Sequence, residues 1–111
     1  MRAILAFLLL TSVSVVSALG TRAEEPVTVS IVIKDHQFEP AEVHAPPGQP
    51  IMVRVKNLNS IAAEFESETL HVEKVIPPGG EATMRVRPLE VGRYGFFDDF
   101  HRATQGQLIV P

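Results

Sequence analysis

The sequence predicts an all-β domain, an antiparallel sandwich or barrel of seven or eight short strands. Three observations carry this. Apolar residues recur with a period of two along short runs, which is the signature of half-buried strands. Proline and glycine turns punctuate the chain at roughly even spacing. Beyond the N-terminal segment, no stretch carries the periodicity of an amphipathic helix.

The first strand is predicted over Val27 to Lys34, where Val27, Val29, Ile31 and Ile33 face one side and Thr28, Ser30, Val32 and Lys34 the other. Glu42 to Ala45 is a brief second strand, closed by Pro46, Pro47 and Gly48. Ile51 to Lys56 alternates Ile51, Val53 and Val55 with Met52, Arg54 and Lys56, then stops at the turn formers Asn57, Asn59 and Ser60. Phe65 to Ser67 and His71 to Ile76 follow, bounded by the turn Pro77, Pro78, Gly79 and Gly80. Ala82, Met84 and Val86 alternate with Thr83, Arg85 and Arg87 before Pro88. Gly92 to Phe97 and Gln107 to Val110 complete the set. Met52 and Met84 fall in or opposite apolar stripes and are read as packing residues.

Residues 1–23 have the pattern of a secretory signal peptide: Arg2, an apolar stretch from Ala3 to Ala18 centred on Leu8, Leu9 and Leu10, then small residues at Ala18, Gly20 and Ala23. Thr11, Ser12, Ser14 and Ser17 interrupt the apolar run, which is short for a membrane span of about 20 residues. The expected product is a periplasmic single domain over 24–111 with no membrane span after cleavage. Loss of Arg2 and Arg22 would leave 8 basic against 13 acidic side chains. Such an acidic domain, with no basic stripe, does not fit a nucleic-acid partner. The chain has no cysteine, which removes disulfides and every thiolate site.

The chemistry concentrates in Gly92 to Pro111, where an aromatic strand with Tyr94, Phe96 and Phe97 runs into a short loop holding Asp98, Asp99 and His101. Carboxylate oxygen and imidazole nitrogen on one short connection suit iron, zinc or copper(II). Asp98 and His101 are the leading ligands, because their spacing allows chelation from one loop. Asp99 should point away from Asp98 if strand geometry persists, and aspartates in loops also cap their own backbone. Glu64 and Glu66 share one strand face, opposite Phe65, so both face out if Phe65 is core. His71 starts a strand beside this acidic segment and could complete a site, whereas His36 and His44 read as surface residues.

The segment FEPAEVHAPPGQPIMVRVKN from Phe38 to Asn57, the Pro-Gly turn and the aromatic strand leading to GQLIV resemble the cupredoxin fold, a Greek-key β-sandwich. In blue-copper members the last loop carries Cys, His and Met, and an earlier His follows the third strand. Laid onto this chain, these positions fall at Asp98, His101, near Thr104, and near Ala63 or Glu64. Only His101 keeps the ligand type, so a blue-copper centre is not possible here.

The segments AAEFES, Ala62 to Ser67, and GRYGFFDDFH, Gly92 to His101, are further similar to the cupredoxin-like domains of bacterial ferrous-iron uptake systems of the EfeO and FtrB types. The resemblance implies a periplasmic protein that binds iron, copper or both through Asp98, His101, Glu64, Glu66 and His71. It further implies delivery of iron to a membrane permease or other uptake components, with oxidation of ferrous iron on the way as an added activity. Two other readings stand beside it: a copper(II) carrier, and a metal-free module whose acidic face docks a membrane partner. A homodimer around shared metal is compatible with the sequence. No paired nucleophile and base, phosphate loop or zinc-protease pattern points to a hydrolase.

Overall fold

The computed structural model describes residues 12–14 and 25–111; most of the segment read as a signal peptide lies outside them. Nine strands follow in order: β1 Val27–Lys34, β2 Gln37–Glu39, β3 Glu42–His44, β4 Ile51–Asn57, β5 Ala63–Ser67, β6 Val72–Ile76, β7 Glu81–Val86, β8 Gly92–Asp98 and β9 His101–Val110. No helix occurs among the described residues. The strands form two sheets, ordered β2-β1-β4-β7 and β3-β9-β8-β5-β6.

Both sheets are mixed, which corrects the antiparallel expectation. Strand β1 runs parallel to β4, from Val27 opposite Ile51 to Ile33 opposite Asn57, and β3 runs parallel to β9. Alternation along a strand reports which face is buried but not the direction of its neighbour. The chain changes sheets between β2 and β3 and again between β3 and β4, so consecutive strands need not be partners. Strand β2 is an addition to the predicted set, and it is only three residues long.

The core is what the alternation dictates. From the first sheet Val29, Ile31 and Ile33, Ile51, Val53 and Val55, and Ala82, Met84 and Val86 point inward. The second sheet answers with Ala63 and Phe65, Phe96, and Leu108 and Val110. Each large side chain so buried contributes about 1.5–3 kcal/mol of transfer free energy. Phe38, Phe65 and Phe96 form an aromatic triangle with ring centroids 5.0–5.8 Å apart. Gly106 makes room for it: a Cβ there would lie 2.4 Å from Phe96 Cε2 and 2.7 Å from the Ala41 carbonyl oxygen.

Strand β9 starts at His101, six positions before the predicted start at Gln107. Its alternation is real, but the first inward positions are Thr104 and Gly106, which carry no hydrophobic signal. The loop between β8 and β9 therefore shrinks to Asp99 and Phe100, with Asp98 and His101 as the closing pair.

Three connections gather at one end of the sandwich. Leu58 N donates to Ile33 O at 2.8 Å, His36 N to Asn59 Oδ1 at 3.3 Å, and Asp99 N to Glu64 O at 2.9 Å. Asn57 anchors the β4–β5 connection from a fully buried position. Its Nδ2 donates to the carbonyls of Ile61 and Ile76, at 2.9 and 3.0 Å, and its Oδ1 accepts from Asn59 N at 2.9 Å.

Candidate metal centre

Asp98 is buried, with 2% of its surface exposed, and faces the core opposite Phe65. One oxygen, Oδ1, accepts from Glu64 N at 2.9 Å and from Phe100 N at 3.0 Å. The carboxylate thus ties β5 to the β8–β9 loop, the capping role open to any loop aspartate. A register irregularity lies between Phe97 and Asp98, and the next residue, by ordinary alternation, faces the opposite side.

That residue, Asp99, joins Glu64 and Glu66 on the outer face of the five-stranded sheet. One carboxylate oxygen from each of these three residues lies within 4.8 Å of the others, and all three side chains are half-buried. Phe65 lies in the core, so the two glutamates on either side point out by the pleat. Of the paired aspartates, Asp99 meets the glutamates and Asp98 does not.

The electrostatics of the cluster are unfavourable without a cation. The Glu64 carboxyl is held above its ordinary range, first by hydrogen bonding to the Glu73 side chain, then by desolvation and the charges of Glu73, Asp99 and Glu66. Glu66 is raised first by desolvation, then by Asp99 and Glu73, with Arg102 opposing. Arg102 Nη2 sits 2.8 Å from Asp99 Oδ1, a charge contact without hydrogen-bond geometry, since that buried oxygen accepts no hydrogen bond. The guanidinium also lies 5.7 Å from the Phe97 ring centroid, on the same outer face.

The predicted histidines part company. His101 is half-buried at the start of β9, and its Nδ1 is 2.9 Å from Thr104 Oγ1. Its ring stacks on that of His36, centroids 4.2 Å apart and planes 19° from parallel. Sequence reasoning set His36 aside as a surface residue. It is exposed, and its partnership with His101 had no signal in spacing. His71 is exposed in the β5–β6 turn and lines a shallow hollow with Glu66 and Glu73.

A family model described as the cupredoxin-like domain matches residues 2–110 of the sequence. The chain belongs to this family. An uncharacterised protein of Rickettsia prowazekii (strain Madrid E) is 41% identical to this cupredoxin-like chain over 83 residues. The match covers 74% of the chain and 66% of the relative, so the chain spans just under two thirds of that protein's length. Among solved structures, the metal-binding domain of the Cu(I)-exporting P-type ATPase CopA of Streptococcus pneumoniae D39, determined with Cu(I), is 20% identical with a TM-score of 0.70. It covers 79% of this chain and 89% of that one. Auracyanin A, a blue copper protein from Chloroflexus aurantiacus, is 15% identical with a TM-score of 0.66, covering 78% of this chain and 100% of its own. At these identities the likeness shows the shared fold.

Within this cupredoxin-like domain, the positions that the blue-copper pattern reserves for ligands hold protein hydrogen bonds. Asp98 accepts the Glu64 and Phe100 amides, and Thr104, 2% exposed, bridges His101 and the His36 carbonyl. Ala63 is fully buried and offers no donor atom. The oxygen donors that converge lie outside this end-on position, on the sheet face.

Proposed function

We propose that this cupredoxin-like protein is an exported, periplasmic metal-binding component of ferrous-iron uptake, carrying iron to a membrane permease. The observation that supports the reading is the convergence of Glu64, Glu66 and Asp99 within 4.8 Å. Three carboxylates form a hard, all-oxygen donor set, and such donors suit iron better than copper(I). Bound iron would offset the desolvation and mutual repulsion that, beside the Glu73 hydrogen bond to Glu64, raise the Glu64 and Glu66 carboxyls. Oxygen donors of high negative charge favour ferric over ferrous iron, so the same site would ease oxidation of its cargo. Arg102 is the internal cation that iron must displace from Asp99, and it gives the site a route to release. His71 lines a hollow with Glu66; Asp98, the leading sequence ligand together with His101, acts through the backbone of Glu64.

The test is calorimetric titration with manganese(II), an air-stable surrogate for ferrous iron, of wild type, Glu66→Gln and Asp99→Asn. One ion per chain is expected for wild type, with affinity reduced at least tenfold in each variant. Equal binding by all three proteins, or none by wild type, removes the reading.

A further inference from the structure

The His36 and His101 rings meet at the end of the sandwich where the β1–β2 turn reaches the start of β9, and the local structure is arranged to hold them there. Asp35 and His36 form the two-residue turn between β1 and β2, with Lys34 opposite Gln37. Both have left-handed backbones, φ 50° and 56°. This is the geometry of the tight hairpin turn that favours Asp-Gly, and histidine stands where glycine is preferred. A side chain kept at such a position directs attention to function, because turn formation alone does not select it. Two hydrogen bonds fix the His36 backbone in place: its N–H donates to Asn59 Oδ1 at 3.3 Å, and its carbonyl accepts from Thr104 Oγ1 at 2.5 Å.

Those bonds also set the proton on His101. The Thr104 hydroxyl has one hydrogen, which goes to the His36 carbonyl, so Thr104 Oγ1 accepts from His101 Nδ1–H. In the neutral ring this leaves the Nε2 lone pair of His101 free for a metal, the orientation that a hydrogen bond on the other nitrogen imposes on ligating histidines.

We propose that His36 and His101 form a bis-imidazole site for a borderline divalent ion, zinc(II) or copper(II), separate from the carboxylate cluster. Imidazole nitrogens suit these ions, and copper(II) should bind more tightly than zinc(II). Two nitrogens at about 2.0–2.1 Å from one zinc ion are at most about 4 Å apart. The rings stack face to face, so their in-plane lone pairs do not converge as they stand; rotation of the exposed His36 side chain out of the stack would bring a nitrogen of each ring onto one ion. Water or a partner's donor would complete the coordination.

The probe is zinc(II), followed by NMR of the histidine ring protons and by competition titration. Wild type, His36→Asn, His44→Asn and Glu66→Gln are compared; asparagine tolerates the left-handed turn, so His36→Asn keeps the fold. One equivalent of zinc(II) should shift the ring signals of His36 and His101 together. Affinity should fall at least tenfold in His36→Asn and stay unchanged in His44→Asn and Glu66→Gln. If affinity falls in Glu66→Gln and holds in His36→Asn, zinc sits at the carboxylates; the imidazole site is then overturned while the cargo reading stands. No shift of His36 in wild type overturns it equally. Loss confined to His36→Asn upholds the site whatever manganese(II) does at Glu66.

Discussion

Asp98 and Asp99 are adjacent in sequence and identical in chemistry, yet one is bonded into the fold and the other joins the acidic cluster on the sheet face. Burial separates them. Asp98 is 2% exposed and gives its oxygen to two backbone amides, so its removal leaves both donors without an acceptor. Asp98→Ala should therefore cost about 3 kcal/mol, as hydrogen bonds to a charged acceptor are worth roughly 1.5–3 kcal/mol each and do not add fully. Asp98→Asn, which retains an acceptor oxygen, should lose less, and urea denaturation of the two variants checks the order. Asp99 behaves oppositely: it is half-buried, and its Oδ1 accepts no hydrogen bond and lies 2.8 Å from Arg102 Nη2.

At the scale of elements, the β8–β9 hairpin organises the site. Its two-residue loop fixes Asp98 against His101, and alternation past the inward Asp98 leaves Asp99 on the face of Glu64 and Glu66. The hairpin depends on the close approach of β3 and β9 around Gly106, a buried glycine with no room for a side chain. In Gly106→Ala the new methyl meets the Phe96 ring and the Ala41 carbonyl, and backbone cannot yield as a flexible side chain would. The expected loss is about 2–3 kcal/mol, within the range for overpacked cores. It should come with weakened hydrogen-exchange protection of Gln107 N, which donates to Ala41 O at 2.8 Å.

For the molecule as a whole, the acidic outer face sets a pH dependence. The Glu64 and Glu66 carboxyls are raised in the folded protein, so the native state binds more protons than the unfolded chain above the ordinary glutamate value of about 4.3. The sign follows: stability contributed by their protonated forms is lost as pH rises from there through the raised values. Thermal melts of wild type and a Glu64→Gln/Glu66→Gln variant, compared across that range, should show the wild type losing more stability with rising pH. Parallel curves for the two proteins would contradict this. Manganese(II) should restore the wild type alone, because a ligand of the folded state stabilises by mass action.

The sequence by itself determined the strand faces. Val27 to Lys34 coincides with β1, Phe65 is core with Glu64 and Glu66 outward, and Met84 packs inside, because a period of two leaves each side chain only two directions. Local chemistry was enough for these. Tertiary structure decided what local patterns do not encode: the parallel pairing of β1 with β4, the start of β9 at His101, and the meeting of Asp99 with Glu64 and Glu66. It also brought His36 onto His101 from opposite ends of the domain. The physical reason is the same in each case: sheet partners and strand irregularities are settled by packing two faces together, and the residues that make that packing possible here are small or polar.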